Sequence, residues 1–337
     1  MTKAQLNLLR NPAKTPPVAL IVDSPWIPGF VGISEMEYFT EPEKWLTANL
    51  RIADRFPDVI FVPGFWVEYG MATEPSAFGC KVSWWESGPP SVSPILTDIS
   101  QARDLKIPHP ENDGLMPFVL HLQKRAQQRI ELLGYSIRIV AARGPLALAT
   151  HLRGVTEFLM DIVLEPEESH KLLDLCTETV IRWLQAQADN LPDVEGILVL
   201  DDIPGLLSPT DYEAFAHPYL KRIFDAFPGA LKIYHNDADV QPFAEKLAEA
   251  GFDILNFGHG FDMADAFRRI GDKVTLMGNV APLDLLARGN PEDVKSKAEY
   301  CIKATGGRLI LSAGGGVSSG TPAKNVEALL DAARGDG

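Results

Sequence analysis

Basic residues are scarce in this 337-residue sequence. It contains 31 Lys and Arg against 45 Asp and Glu, which gives a formal net charge of −14 at pH 7. Proteins that follow a nucleic-acid backbone need clusters of Lys and Arg to neutralise the phosphates, and the sequence contains no such cluster. We therefore expect that nucleic acid is not a partner.

Cysteines and long apolar runs are scarce as well. Cys80, Cys176 and Cys301 lie far apart and form no CxxC pair, which fits a reducing cytosol better than a disulfide framework. The N-terminal segment has no apolar stretch typical of a signal peptide. No apolar run reaches the roughly 18 residues that a membrane helix requires. These absences predict a cytoplasmic protein that does not contact a membrane.

The composition is otherwise that of a globular protein, since 46% of the residues are apolar and 23% are charged. These values exclude a disordered or collagen-like chain. The length is roughly twice that of an average domain, but one α/β barrel commonly fills it. Because no linker or low-complexity stretch divides the chain, we expect a single domain over 1–337. The Trp-, Gly-, Pro- and Ser-rich stretch 69–100 is interpreted as an insertion that forms a hairpin over the barrel mouth.

Short apolar runs recur along the chain, and most of them are followed by an amphipathic helical segment. The runs are Val18–Val22, Val59–Val62, Ile137–Ala141, Ile197–Leu200, Leu231–Tyr234, Asp253–Phe257, Val274–Met277 and Leu309–Ser312. The helical segments are Glu43–Arg55, Gly154–Leu164, Glu167–Asn190, Thr210–Phe227, Val240–Ala250, Asp262–Ile270 and Pro291–Ala304. Nearly continuous apolar runs are typical of parallel strands covered on both faces. Eight of them predict a (β/α)8 TIM barrel, with an open doubly wound sheet as the alternative.

Polar or glycine residues follow every predicted strand, where barrel active sites form. In chain order they are Asp23 with Trp26, Trp66 with Glu68, Arg143, Asp201 with Asp202, His235 with Asp237, His259, Gly278 with Asn279, and Gly314–Gly316. Because the carboxyl ends of all eight strands meet at one end of a barrel, we expect these residues to surround one mouth.

Three of these residues are candidate metal ligands. His235 and Asp237 lie two residues apart beyond a strand, and an imidazole with a carboxylate can ligate zinc or another divalent ion. His259, at the next strand end, is the predicted third ligand. The alternative is that His235 bonds a backbone carbonyl and Asp237 caps the following helix.

Asp201 and Asp202, with His235, are the predicted catalytic residues. Two adjacent carboxylates in a cleft raise one pKa and can supply a general acid. One of them can instead bind substrate or a cation while its neighbour accepts backbone hydrogen bonds. The sequence does not distinguish which aspartate faces the site, and both can equally serve to tie the loop.

The remaining candidates would bind substrate. Arg143 can clamp a substrate carboxylate through its planar guanidinium, or it can pair with Asp201 or Asp202. Trp26 and Trp66 either form an aromatic pocket or pack in the core. The full predicted substrate-binding set is Asp23, Trp26, Trp66, Arg143 and Asn279.

Five segments carry a resemblance to a known family. They are ARGPLALATHLRG (142–154), LDDIPGLLSPTDYEAFAHPYLKRI (200–223), YHNDADVQPFAEKLAEAGFDILNFGHG (234–260), IGDKVTLMGNVAPLDLLARGNPEDV (270–294) and LILSAGGGVSSGTPAKNVEALL (309–330). With them the chain resembles the uroporphyrinogen decarboxylase superfamily, above all its corrinoid-dependent methyltransferases, which include methylcobamide:coenzyme M methyltransferases and components of O-demethylases. The resemblance implies a (β/α)8 fold.

The sequence departs from the family patterns in two places. Decarboxylases of the family carry an arginine-rich N-terminal segment, whereas between Lys14 and Arg51 this chain has only Lys44 as a cation. In the coenzyme M methyltransferases, zinc is bound by a His-x-Cys motif and a second Cys on the last strand. Here His235 matches the histidine, Asp237 replaces the first Cys, and Gly315 falls at or beside the second.

The resemblance and these departures together imply a particular reaction. Nitrogen and oxygen ligands leave a metal ion harder than thiolates do, which suits polarising an ether oxygen. We expect a zinc-dependent methyltransferase that moves a methyl group from a small O-methyl donor, such as a methoxylated ring, to the Co(I) corrinoid of a partner protein docked near 69–100. The alternatives are a metal-free lyase of the superfamily and a non-catalytic ligand-binding relative. The sequence does not decide whether the chain forms a homodimer.

Overall fold

The computed structural model describes residues 1–12, 15–22 and 26–335. Its strands are β1 (Val18–Ile21), β2 (Val59–Val62), β3 (Lys81–Ser83), β4 (Ser91–Ser93), β5 (Ile139–Arg143), β6 (Gly196–Leu200), β7 (Leu231–Asn236), β8 (Ile254–Phe257), β9 (Thr275–Val280) and β10 (Ile310–Ala313). All except β3 and β4 coincide, within three residues at either end, with the eight predicted apolar runs.

Those eight strands form the wall of a nearly closed barrel. Neighbouring strands are parallel and follow the order β2, β1, β10, β9, β8, β7, β6, β5. In the part of the chain that the structure describes, no backbone ladder joins β2 to β5. The predicted TIM barrel is confirmed, and the open doubly wound sheet is excluded because β1 pairs with β10 at the other end of the chain.

Fifteen helices are described around this wall. They are α1 (Lys3–Arg10), α2 (Trp26–Val31), α3 (Glu35–Thr40), α4 (Pro42–Arg55), α5 (Thr73–Ala77), α6 (Met116–Ile130), α7 (Pro145–Arg153), α8 (Val155–Leu164), α9 (Pro166–Asp189), α10 (Pro209–Asp211), α11 (His217–Asp225), α12 (Ala244–Leu247), α13 (Met263–Ile270), α14 (Pro291–Thr305) and α15 (Ala323–Arg334). Proline stands at the first position of α9, α10 and α14 and caps α15, where its missing N–H has no partner to lose.

Two predicted helices are not continuous. The predicted helix 210–227 is divided by a wider π-helical turn at Tyr212–Ala216 between α10 and α11. The predicted helix 240–250 contains only a 3-10 turn at Gln241–Phe243 and the short α12. Pro242 lies at the second position of that 3-10 turn.

The barrel interior is filled by alternate residues of the strands. Ile139, Leu198, Ile233 and Ile254 belong to one interior cluster, and the fully buried Leu6 of α1 joins them. α1 therefore covers the end of the barrel at which the strands begin. The intervening strand residues pack outward against the helices.

The 69–100 stretch forms the predicted hairpin. β3 and β4 are antiparallel, with Val82 opposite Val92, and Trp84 packs its ring 5.8 Å from that of Tyr69. The segment follows β2 and contacts α7 through the backbone bond from the N–H of Leu96 to the carbonyl of Leu152. Among the described helices, none combines the length and apolar character needed to cross a membrane.

Candidate metal centre at the barrel mouth

Alternation along β6 and β7 decides which polar residues point into the barrel. Leu198 and Leu200 of β6 face the interior, so Asp202 continues the inward series and Asp201 lies on the outward side. On β7 the inward series runs from Ile233 through His235, the next position of the same parity. The structure thereby identifies Asp202 as the aspartate of the pair that faces the mouth.

Asp202, His235 and Asp237 come together at this mouth. Each offers one ligand atom, and these atoms lie within 4.8 Å of one another. His235 Nε2 is 3.6 Å from Asp202 Oδ1. Two ligands held about 2.1 Å from a tetrahedral zinc ion lie about 3.4 Å apart, so this separation fits such an ion with little adjustment. His235 is buried, whereas Asp237 is exposed, which leaves one side of the group open.

A hydrogen-bond chain sets the orientation of the His235 ring. The Asn256 side-chain nitrogen donates to the carbonyls of Met277 (2.9 Å) and Ala313 (3.0 Å). Its oxygen, 2.7 Å from His235 Nδ1, must therefore accept a hydrogen bond from that nitrogen. Nδ1 carries a proton, so in the neutral ring the lone pair lies on Nε2, on the side of Asp202. This arrangement is the one that a metal-ligating histidine requires.

A backbone hydrogen bond holds one carboxylate of the group, and a glycine leaves room for the other. The N–H of Asp237 donates to Asp202 Oδ1 at 3.0 Å, which links the ends of β6 and β7. Gly315 leaves space for Asp237, because a Cβ at position 315 would lie 2.7 Å from Asp237 Oδ2. Gly315, which falls at or beside the position of the second cysteine in the coenzyme M methyltransferases, thus leaves space for Asp237 and supplies no ligand.

Asp201 is held away from the mouth by α7. Its buried carboxylate accepts hydrogen bonds from the N–H groups of Leu146 (2.9 Å) and Ala147 (3.0 Å) in the first turn of that helix. Burial raises the pKa of Asp201 to about 8, and these N–H groups act in the opposite direction. Gly144 permits the contact, since a Cβ there would lie 2.3 Å from Asp201 Oδ2. The placement suits a helix cap, and any catalytic role of Asp201 remains a prediction.

Arg143 pairs with Glu68 rather than with Asp201 or Asp202. Its Nη2 lies 3.1 Å from Glu68 Oε2, and both side chains are buried. The guanidinium carbon lies 5.2 Å from the ring centre of Trp66. The alternative in which Arg143 pairs with Asp201 or Asp202 is not found, because its guanidinium instead bonds Glu68, which follows β2.

Two further predicted substrate residues have structural partners. Trp26 is 1% exposed and donates from Nε1 to the carbonyl of Thr321 at 2.9 Å, which matches the core interpretation. Asn279 is fully buried and donates to the carbonyl of Phe261 at 2.6 Å, and it accepts a weak hydrogen bond from Cys301 Sγ at 3.6 Å. Its side chain therefore holds the loop that follows β8.

Of the other two candidates, one lies away from the ligand group and one lies outside the part of the chain that the structure describes. His259 is exposed on the loop after β8, and the ligand group found among the described residues does not contain it. Asp23 lies outside the described residues. Asn256 was not among the sequence candidates, although it is a polar residue inside the apolar run before His259, and its inward parity with Ile254 could have identified it.

Comparisons with known proteins agree on one family. The family model for uroporphyrinogen decarboxylase matches residues 30–335. A uroporphyrinogen decarboxylase from Synechococcus sp. is 30% identical over 266 residues, which are 74% of this chain and 71% of that protein. The chloroplastic uroporphyrinogen decarboxylase of Nicotiana tabacum is 27% identical over 264 residues, 74% of this chain and 64% of that protein.

One solved structure is similar over nearly the whole chain. It is described as a methyltransferase from Methanosarcina mazei, has a TM-score of 0.85, is 23% identical, and covers 99% of both chains. At that identity the likeness establishes a shared fold.

Proposed function

The chain belongs to the uroporphyrinogen decarboxylase family, and we propose that within it this protein is a metal-dependent methyltransferase. It would move a methyl group from a small O-methyl donor to the Co(I) corrinoid of a partner protein. The observation that carries the proposal is the group of Asp202, His235 and Asp237, with the His235 lone pair directed at it. The reaction class is taken from the sulfur-free ligand set and from the description of the M. mazei structure.

The residues at the mouth fit a divalent ion. His235 Nε2 and one carboxylate oxygen each from Asp202 and Asp237 would hold it, and three protein ligands leave a position for a substrate atom. Bound there, a zinc ion would act as a Lewis acid on the ether or phenolic oxygen of the donor. The exposed side of Asp237 gives the donor its access.

The protein groups have separate tasks in this reaction. In the proposed transfer the O–CH3 bond of the donor would break, the electron pair of Co(I) would form the new bond to the methyl carbon, and the pair of the broken bond would remain on the donor oxygen, which then takes a proton from solvent. Asn256 accepts the Nδ1 proton of His235, so that in the neutral ring Nε2 is the nitrogen that can bind the ion. Asp201 keeps the β6 end in place, because its carboxylate binds α7 while its carbonyl accepts hydrogen bonds from Tyr234 and Asn236, both at 2.8 Å. Asp201 therefore positions Asp202 and does not contact the donor.

The partner must present its cobalt at the same end of the barrel. The 69–100 insertion lies at this end, and Trp85 in its hairpin is 53% exposed. An exposed aromatic ring on a hairpin is a common anchor of protein interfaces. We place the corrinoid protein against this hairpin.

Decarboxylation is the second candidate, because the curated relatives are named uroporphyrinogen decarboxylases. Its substrate carries several carboxylates and needs cations to bind them. Arg143, the inward cation on β5, is occupied by Glu68, and Lys44 is paired with Glu37 and Glu41. This arrangement of charges disfavours the decarboxylase, which is the metal-free lyase named above as an alternative.

One experiment separates these functions. The purified protein is loaded with zinc and incubated with Co(I) cobalamin and a panel of methoxy compounds, and methylation of cobalt is followed by its absorption spectrum. We expect methylation with zinc and none after chelation or in His235→Ala. Uroporphyrinogen decarboxylation by the chelated protein, without methyl transfer by the zinc-loaded one, would establish the lyase instead. Donor binding without either reaction would identify a binding protein.

A further inference from the structure

We infer that the methyl donor carries no carboxylate, sulfonate or phosphate group, and that Glu68 enforces this by occupying Arg143. The inference rests on the proposed function, since it names the donor class of that reaction. It reverses the sequence expectation in which Arg143 clamps a substrate carboxylate.

Arg143 is the cation best placed to meet an anionic donor. It ends β5 in the inward series that begins with Ile139 and Ala141. Its Nη2 donates to Glu68 Oε2 at 3.1 Å and to the carbonyl of Gly70 at 3.4 Å. The Arg143 and Glu68 side chains are only 7% and 6% exposed. A buried pair in direct contact presents no net charge, and separating it would leave two uncompensated buried charges.

Cations are few in the loops that follow the barrel strands, with exceptions after β2, where Lys81 lies exposed on the hairpin, and after β9, where Arg288 lies. Five loops that follow barrel strands contain neither Lys nor Arg: 26–41, 201–211, 237–243, 258–262 and 314–322. After β5, Arg153 is bound to Asp161 at 2.7 Å. An anionic group on a donor bound between these five loops and Arg143 would therefore lose its water without gaining a partner of opposite charge.

A bound divalent ion would not change this balance. The carboxylates of Asp202 and Asp237 supply two negative charges, which offset the two positive charges of the ion. The ligand group with its ion is thus close to neutral, and it adds no attraction for an anion. A neutral methoxy compound, by contrast, needs only the ion and an apolar wall such as Trp66, whose ring already lies against Arg143.

The first test uses the wild-type protein and two donors that differ by one carboxylate. The zinc-loaded protein is titrated calorimetrically with 2-methoxyphenol, which is neutral at pH 7, and with 4-hydroxy-3-methoxybenzoate, which is an anion. We expect the neutral compound to bind at least tenfold more tightly. Equal affinities, or tighter binding of the anion, would overturn the inference without any variant having to fold.

The second test assigns the discrimination to Glu68. Glu68→Gln should free the guanidinium of Arg143 and improve binding of the benzoate, relative to the phenol, by about tenfold. Glu41→Gln is the matched control, because it removes one carboxylate at the same end of the barrel whose partner is Lys44 (3.0 Å). If both folded variants bound the phenol in preference to the benzoate to the same degree, Glu68 would not be the residue that excludes anionic donors.

The outcomes also separate this inference from the proposed function. Binding of 2-methoxyphenol without methylation of Co(I) cobalamin would refute the methyltransferase and leave the donor class standing. Methylation from the benzoate at an equal rate would refute the donor class and leave the methyltransferase standing. Failure of both compounds to bind would count against both proposals.

Discussion

Asn256 accepts a hydrogen bond from Nδ1 of His235 at 2.7 Å, and its own amide nitrogen is bound by two carbonyls. Neither partner can rotate to exchange its donor and acceptor without losing these bonds. Asn256 is fully buried, so water cannot replace them. The pair fixes the tautomer of the histidine before any ion arrives.

Replacing Asn256 should therefore weaken metal binding without removing a ligand. We expect Asn256→Leu to lower zinc affinity by about 10- to 100-fold, measured by competition with a chromophoric chelator. In the zinc-free protein, the ¹⁵N shifts of the His235 ring should change from a single Nδ1–H tautomer to a mixture. Asn49→Leu, which removes another buried amide bound to Tyr38 and to the Trp45 carbonyl, should alter neither. An unchanged tautomer in Asn256→Leu would contradict the assignment.

The ligand group can be tested directly. Asp202→Asn, His235→Ala and Asp237→Asn should each reduce zinc affinity by at least about 100-fold, since each removes one of three ligands. His259→Ala is the control, because His259 is exposed and lies outside the group. Zinc content after dialysis and calorimetric titration give the readout. If His259→Ala lost zinc while Asp202→Asn retained it, the sequence-based ligand set would be correct instead.

Gly315 offers a test of the space around Asp237. Gly315 and Gly320 both have positive φ, at +129° and +80°, so an alanine at either should destabilise the fold by about 1 kcal/mol. A Cβ at 315 would lie 2.7 Å from Asp237 Oδ2, whereas nothing lies within 4 Å of one at 320. Gly315→Ala should therefore also lower zinc affinity, and Gly320→Ala should not. Equal zinc affinities in the two variants would show that the space at Gly315 does not determine the position of the Asp237 carboxylate.

His151 should make stability depend on pH. Burial, with a contribution from Arg143, lowers its pKa from 6.5 to about 4, so the folded protein binds this proton less readily than the unfolded chain. Above pH 6.5 the His151 side chain is neutral in both the folded and the unfolded protein, so the free energy of unfolding does not depend on it. As the pH falls from 6.5 towards 4, the unfolded chain binds the proton first and the free energy of unfolding decreases. We expect this group to contribute about 2 kcal/mol to that loss.

Urea unfolding at pH 7.5 and 4.5 measures the effect. His151→Gln should show a smaller fall in the free energy of unfolding between the two pH values than the wild type. His121→Gln, on the exposed side of α6, should behave as the wild type does. The same fall in all three proteins would assign the pH dependence to other groups.

The architecture could be predicted because it depends on local pattern. Each wall strand is covered by helices on one face and by the barrel filling on the other, so the strands are continuous apolar runs that are visible in the sequence. The helix starts at Pro166 and Pro291 were visible for a similar reason, since proline favours the first helical position. α6 and α7 were not predicted, although α7 directly follows the apolar run Ile137–Ala141.

The sequence by itself determined the barrel and the set of residues that end its strands, because both follow from spacing along one chain. Only the tertiary structure decided how these residues pair. In the structure Asp202 lies beside His235, and Asn256 bonds the other ring nitrogen of that histidine. Asp201 bonds the first turn of α7, and Arg143 pairs with Glu68. These contacts join different strands, and spacing within a chain carries no information about which side chains meet across a barrel end.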